Sequence, residues 1–188
     1  RERFPWAHLI IPLMPNVPAE PAPRDTTASA TPWWSPAVLL ATCGGVGRLG
    51  LAPGTAGAAV GAVLAFVLAA WNLPVAVEAG LLVALNLIGV PICSRAAASL
   101  GRGSDPGAIV YDEAASLPLA LLVIPSAARS PLVIAAAFLL HRVFDISKLP
   151  PGRQVERLPK GLGIMADDWA AAGWAAACLA LARGMGWL

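Results

Sequence analysis

Charge is scarce in this chain. Asp, Glu, Lys and Arg make up 13% of its 188 residues, about half the ~25% usual for a soluble domain. Histidine is nearly absent, and His8 and His141 are too few for a zinc or di-iron centre. The three cysteines, Cys43, Cys93 and Cys178, stand far apart. They form no C-x-x-C, no zinc spacing and no disulfide framework, so each reads as a small buried apolar residue. A net charge of +2 is too small to imply nucleic acid, and no basic patch is interleaved with aromatics, so no nucleic-acid partner is expected. No internal repeat supports a transporter built from inverted repeats. The glycines of GGVGRLGLAPGT (44–55) are followed by no GKS or GKT and preceded by no strand. That excludes a P-loop and a dinucleotide fingerprint.

Apolar residues are abundant, at 57% of the chain. The length fits one domain, and membrane protein is the leading class. Residues 15–36 hold Pro15, Pro18, Pro21, Pro23, Pro32 and Pro36 among Ala, Thr and Ser. We therefore expect a disordered extension over 1–36 and a folded helical domain over 37–188.

Uncharged stretches organise that domain. The longest, Leu49 to Val77, contains a full span near Thr55–Leu73. Pro74 marks a turn before the next, Ala79 to Ser94. Ala114–Ala128, Ser130–Leu140 and Trp169–Ala182 follow. Ala-rich content favours helices over strands. The expectation is a compact all-α membrane protein with four or five hydrophobic helices and a polar site at one membrane face. If the stretches pair as hairpins, Arg95 and Arg102 share a side with Arg142, Lys148, Arg153, Arg157 and Lys160. The positive-inside rule makes that side cytoplasmic.

The acids gather on the same side. Asp105, Asp112 and Glu113 precede one apolar stretch, Asp145 ends another, and Asp167 and Asp168 open the last. Helix dipoles favour acids at helix starts, but two adjacent pairs plus Asp145 exceed what capping explains. Clustered carboxylates suit Mg²⁺, Mn²⁺ or Ca²⁺. Pro53-Gly54-Thr55 stands where the first long helix begins, and a Thr cap with free amides there can hold a phosphate. Arg142, Asp145 and Lys148 follow one another at intervals of three, which also fits surface ion pairs if the helix continues. Taken together, these parts fit a phosphomonoester at the lipid–water boundary.

Four pieces carry a family resemblance: APGT (52–55), D-x-G-A-I-V-x-D-E (105–113), R-x-F-D-I-x-K (142–148) and G-x-G-I-M-x-D-D (161–168). Over roughly residues 38–185 the chain resembles bacterial phosphatidylglycerophosphatase A. The resemblance implies an all-helical bacterial inner-membrane enzyme with its site facing the cytoplasm. The implied activity is Mg²⁺-dependent release of the terminal phosphate of phosphatidylglycerophosphate, giving phosphatidylglycerol. The alternative is a paralogue acting on another lipid phosphate, or a non-catalytic membrane protein. On this reading Asp105, Asp112, Glu113, Asp167 and Asp168 supply metal ligands. Gly54, Thr55, Arg142 and Lys148 hold phosphate oxygens. Asp145 is a ligand, a general base or a nucleophile, and Asp112, Glu113 and Asp168 join it in catalysis. The chain departs from the family pattern at Ala58, Pro106, Ser116, His141, Leu149 and Lys160, where the last position is commonly Gly.

Overall fold

Prolines set where the helices begin. The computed structural model describes residues 35–50, 52–101 and 107–188, and these form seven α-helices and no strand. Pro36 opens α1 (Pro36–Ala41), Pro53 opens α2 (Pro53–Trp71) and Pro131 opens α5 (Pro131–Ser147). At a first helical position, proline's fixed φ and missing N–H cost nothing. Pro74 caps α3 (Val75–Leu100), after Asn72 has closed α2 in the left-handed region. The remaining helices are α4 (Tyr111–Ser116), α6 (Gly152–Val155) and α7 (Gly161–Gly184). Asp105, and all of the expected N-terminal extension before Ser35, lie outside the described residues.

Three helices, α2, α3 and α7, are long and apolar enough to cross a membrane. The chain is a membrane protein. The expected four or five hydrophobic helices are thus three long ones, with α5 beside them. Ala114–Ala128 does not become a further span. It is the end of α4 followed by 3-10 turns over Leu117–Val123 and Ser126–Ala128. Pro118 and Pro125 each lack the amide that a continuous α-helix needs.

The helix α7 is the central post. Half of its apolar window is buried, 50%, against 28% for α2 and 22% for α3. One core cluster joins α7 to α2, α5 and the 3-10 segment around Leu117, Leu121 and Leu179. The other joins α7 to α1, α3 and α4 around Val38, Cys93 and Met165. Large apolar side chains such as Phe66, Leu81, Leu87 and Leu139 are left exposed. Acyl chains cover such a surface in a bilayer, whereas water would not tolerate it.

Small residues let backbones close in. A Cβ on Gly57 would sit 2.7 Å from Val110 Cβ, and one on Gly61 would sit 2.9 Å from the Ala114 carbonyl oxygen. The α2 helix is therefore pressed directly against α4. That contact brings the start of α2 beside the carboxylates of α4.

Candidate active site

Four segments meet at one end of the bundle: the start of α2, the first turn of α4, the end of α5 and the second turn of α7. Asp112 and Glu113 occupy the first turn of α4, where the helix dipole tolerates them. The other acids have no such excuse. Asp167 and Asp168 lie beyond the first turn of α7, and Asp145 sits near the C-terminus of α5, the end that disfavours anions. Capping does not explain this set.

Oxygens of Asp145, Asp167 and Asp168 all lie within 4.8 Å of one another. Arg142 Nη1 donates to Asp145 Oδ2 at 2.5 Å and lies 3.7 Å from Glu113 Oε1, so it ties α5 to α4. Lys148 donates to Asp167 and lies 4.0 Å from Asp145 Oδ1 and 3.7 Å from Glu156 Oε1. Both pairs expected along this segment, Arg142 with Asp145 and Asp145 with Lys148, do form, but the helix does not continue through Lys148. The α5 helix stops at Ser147, and Lys148 turns into the left-handed region at φ 50°. Its ammonium thereby reaches across to α7.

Leaving exposed Glu156 aside, five carboxylates face two cations here, and burial makes the imbalance costly. Asp112, Glu113, Asp167 and Asp168 are all buried. Burial pushes the Asp112 carboxyl well above its ordinary range, with Glu113 and then Asp168 adding repulsion. Burial also raises Glu113, partly offset by its hydrogen bond with Asp112 and by Arg142. Burial alone would lower Lys148, but its hydrogen bond to Asp167 outweighs that and holds it as the ammonium. Buried oxygens Asp112 Oδ1, Glu113 Oε2 and Asp168 Oδ1 have no hydrogen-bond partner. Hard, partnerless oxygens beside excess negative charge fit a divalent cation held by carboxylates, and Asp145, Asp167 and Asp168 are spaced to hold one.

The start of α2 faces this cluster. A Cβ on Gly54 would lie 3.0 Å from both terminal nitrogens of Arg142 and would strike Glu113 Oε1. Glycine is what allows the backbone so close. Thr55 is not a cap as expected. The cap position falls on Ala52, because Pro53 takes the first helical place and leaves Thr55 as the third residue of the helix. Thr55 is exposed there, and its amide belongs to the unsatisfied first turn.

The structure therefore gathers Gly54, Asp112, Glu113, Arg142, Asp145, Lys148, Asp167 and Asp168, with Thr55 at the margin. Two supporting groups escape a sequence reading. His141, fully buried, places Nε2 2.9 Å from Ser116 Oγ and 3.6 Å from Asp168 Oδ1. Asn86 donates to the carbonyls of Leu82 and Ala115 at 2.9 Å and accepts from Trp169 Nε1 at 2.8 Å. It thereby links α3 to the two helices that carry adjacent acid pairs. An amide inside an apolar span is itself a signal, but its partners lie 29 and 83 positions away. Lys160 also sits at φ +57°, where glycine is favoured.

Comparison with known proteins identifies the family. A family model described as phosphatidylglycerophosphatase A matches residues 39–183. A curated protein of Bacteroides thetaiotaomicron, named "Putative phosphatidylinositol-3-phosphatase", is 32% identical over 154 residues. That match covers 78% of this chain and 92% of the relative. No solved structure matches.

Proposed function

Since the chain belongs to the phosphatidylglycerophosphatase A family, and is thus a lipid phosphatase in broad terms, we propose that it removes the terminal phosphate of phosphatidylglycerophosphate to give phosphatidylglycerol. The proposed domain is 37–188, the cofactor is Mg²⁺, and the site faces the cytoplasm at a bacterial inner membrane. The observation that carries the reading is the meeting of carboxylates from α4, α5 and α7 beside two cations, with buried oxygens lacking partners.

Asp145, Asp167 and Asp168 would hold the metal, with Asp112 and Glu113 beside them and Asp105, outside the described residues, a ligand on the family resemblance alone. The bound ion would offset the charge of the phosphate dianion. Arg142, Lys148 and the first-turn amides of Gly54 and Thr55 bind phosphate oxygens and orient the ester. Asp145 pins the Arg142 guanidinium through its 2.5 Å contact, which fixes the clamp before substrate arrives. From its place between both cations and the α7 acids, Asp145 either takes a proton from the attacking water or attacks phosphorus itself. In both routes the P–O bond to the glycerol breaks and the leaving oxygen takes up a proton from solvent. In the second, water then hydrolyses the aspartyl phosphate. Its second contact, with Lys148 at 4.0 Å, ties both clamps to this one carboxylate.

Phosphate release by the purified full chain tests the proposal. We expect turnover of phosphatidylglycerophosphate that is lost with chelator and restored by Mg²⁺. A phosphoinositide reading is kept as a second arm, because of the name carried by the Bacteroides relative. Turnover of phosphatidylinositol 3-phosphate in place of phosphatidylglycerophosphate would select it, and no turnover of either would overturn both. Cysteine labels at 141–160 should report the cytoplasmic side and labels near Pro74 the opposite side. The reverse result would overturn the orientation.

A further inference from the structure

A groove of about 400 Å³ runs between α2 and α5 on the outside of the bundle, lined only by apolar residues. Ala59, Val63 and Phe66 line it from α2, and Pro131, Ala135 and Phe138 line it from α5. The mechanism uses none of these residues.

The two walls lead to two residues that the mechanism does use. Ala59 lies one helical turn after Thr55, and Phe138 lies one turn before Arg142. Phe66 is eleven residues beyond Thr55, and Pro131 is eleven residues before Arg142. Eleven residues make three turns within about 20°, so each wall is one stripe on one helix face. Gly54 meets Arg142 at one end, and Phe66 and Pro131 share the groove at the other. The helices are therefore antiparallel and in register: Thr55 answers Arg142, Ala59 answers Phe138, Ala62 answers Ala135, and Phe66 answers Pro131. A polar clamp closes one end of an apolar channel about 17 Å long. That length is close to one leaflet, half of a ~30 Å hydrocarbon core.

We infer that this groove seats an acyl chain of the lipid whose phosphate lies at Thr55 and Arg142. The inference rests on the proposed lipid phosphatase reading and deepens it. Charge complementarity at one end and leaflet depth along the length together select a phospholipid with an anionic headgroup. Lipid tails are as apolar as the groove, so moving a tail into it yields little hydrophobic energy. The groove instead fixes where the anchored lipid's chain runs, and with it the angle at which the phosphate enters. It confers a preference for a long-chain lipid phosphate over a short-chain or soluble one.

Two measurements test this on the full chain. The first fills the groove at exposed positions. Ala135→Trp and Ala59→Phe should raise KM for dipalmitoyl phosphatidylglycerophosphate by about fivefold or more, the order seen when an apolar pocket loses fit. The dihexanoyl substrate should stay within about twofold. Ala84→Trp, exposed on α3, is the volume control and should change neither. Equal losses on both substrates, or none on the long one, overturn the inference. The second measurement needs no turnover. A phosphatidic acid carrying a photoreactive acyl chain should label peptides 59–66 and 131–138 several-fold above the other lipid-facing segments. The same chain on phosphatidylcholine should label all of them evenly. Identical maps for the two probes overturn the groove even if the phosphatase reading stands. Enriched labelling without any turnover keeps the groove and sinks the phosphatase reading instead.

Discussion

The two ends of the helix bundle treat buried charge in opposite ways. Far from the acid cluster, Glu78 in the first turn of α3 meets Arg129 ahead of α5, and each is 1% exposed. Arg129 donates to both carboxylate oxygens of Glu78, and its Nε donates to the Ile124 carbonyl at 2.9 Å. One anion faces one cation, and neither is left with a partnerless atom among those described. At the site end, carboxylates outnumber cations and several buried oxygens stand alone. The closed pair ties two helices together. The open cluster retains unspent binding capacity, and a ligand is what can use it. Partner count separates a structural charge from a functional one better than burial does, since both groups are buried.

Breaking the closed pair should have the largest effect. Arg129→Met leaves Glu78 buried and unpaired, at a cost of about 3–5 kcal/mol. Thermal unfolding should shift strongly down while kcat of the folded fraction holds. A stable variant with lost activity would reverse the contrast between the ends.

Next come the site acids. Asp112→Asn, Asp145→Asn and Asp168→Asn should each cut kcat by roughly 100-fold or more, the order lost with one transition-state stabilising group. Melting temperatures should stay near wild type or rise for Asp112→Asn and Asp168→Asn, which remove repulsion. They should fall slightly for Asp145→Asn, which also weakens the pairs with Arg142 and Lys148. Variants that hydrolyse lipid normally would make the acid cluster as structural as the closed pair.

The pH dependence of the metal-free protein sharpens the comparison further. Burial raises the Asp112 and Glu113 carboxyls above their ordinary values. The folded chain therefore holds protons that the unfolded chain releases, and stability falls as pH rises from the ordinary carboxylate range through the raised values. Each tenfold difference in proton affinity contributes about 1.4 kcal/mol. Melting under chelator should drop as pH rises above the ordinary carboxylate range, and Asp112→Asn or added Mg²⁺ should flatten the curve. A flat wild-type curve would mean the charge excess is compensated within the protein.

The smallest effect concerns backbone strain beside the site. Lys160, at φ +57° and ψ −142°, occupies a conformation that suits glycine. Lys160→Gly should stabilise by about 1 kcal/mol and leave KM unchanged. Destabilisation would show that the lysine side chain holds the α6–α7 connection.

What could be read in advance was local. Pro53 and Pro74 stand beside uncharged stretches, so the start of α2 and the turn after it are legible in the sequence. The acids were legible as a set because their number exceeded what capping needs. Other features depended on distant partners. The α3 helix runs through Pro91 and past Arg95 to Leu100, because neighbouring helices make good what a proline removes. Asn86 and His141 have no polar partner nearby in the sequence pattern, and only the fold supplies Ala115, Trp169, Ser116 and Asp168 as their partners. The ion pair of Glu78 with Arg129, 51 positions apart, left no trace in the local pattern.

The central place of α7 bears on biogenesis. That helix leaves the ribosome after the other six, yet it supplies Asp167, Asp168 and the indole that Asn86 accepts from. A nascent chain ending before Gly161 carries the phosphate clamp residues but lacks two of the three clustered carboxylates. Such a chain, isolated with the first three motifs intact, is expected to release no phosphate. Adding the α7 segment as a separate peptide should restore turnover if docking of this helix is the step that completes the enzyme. Activity then begins only once α7 has been made, after the lipid-facing walls of α2 and α5 are already in the membrane.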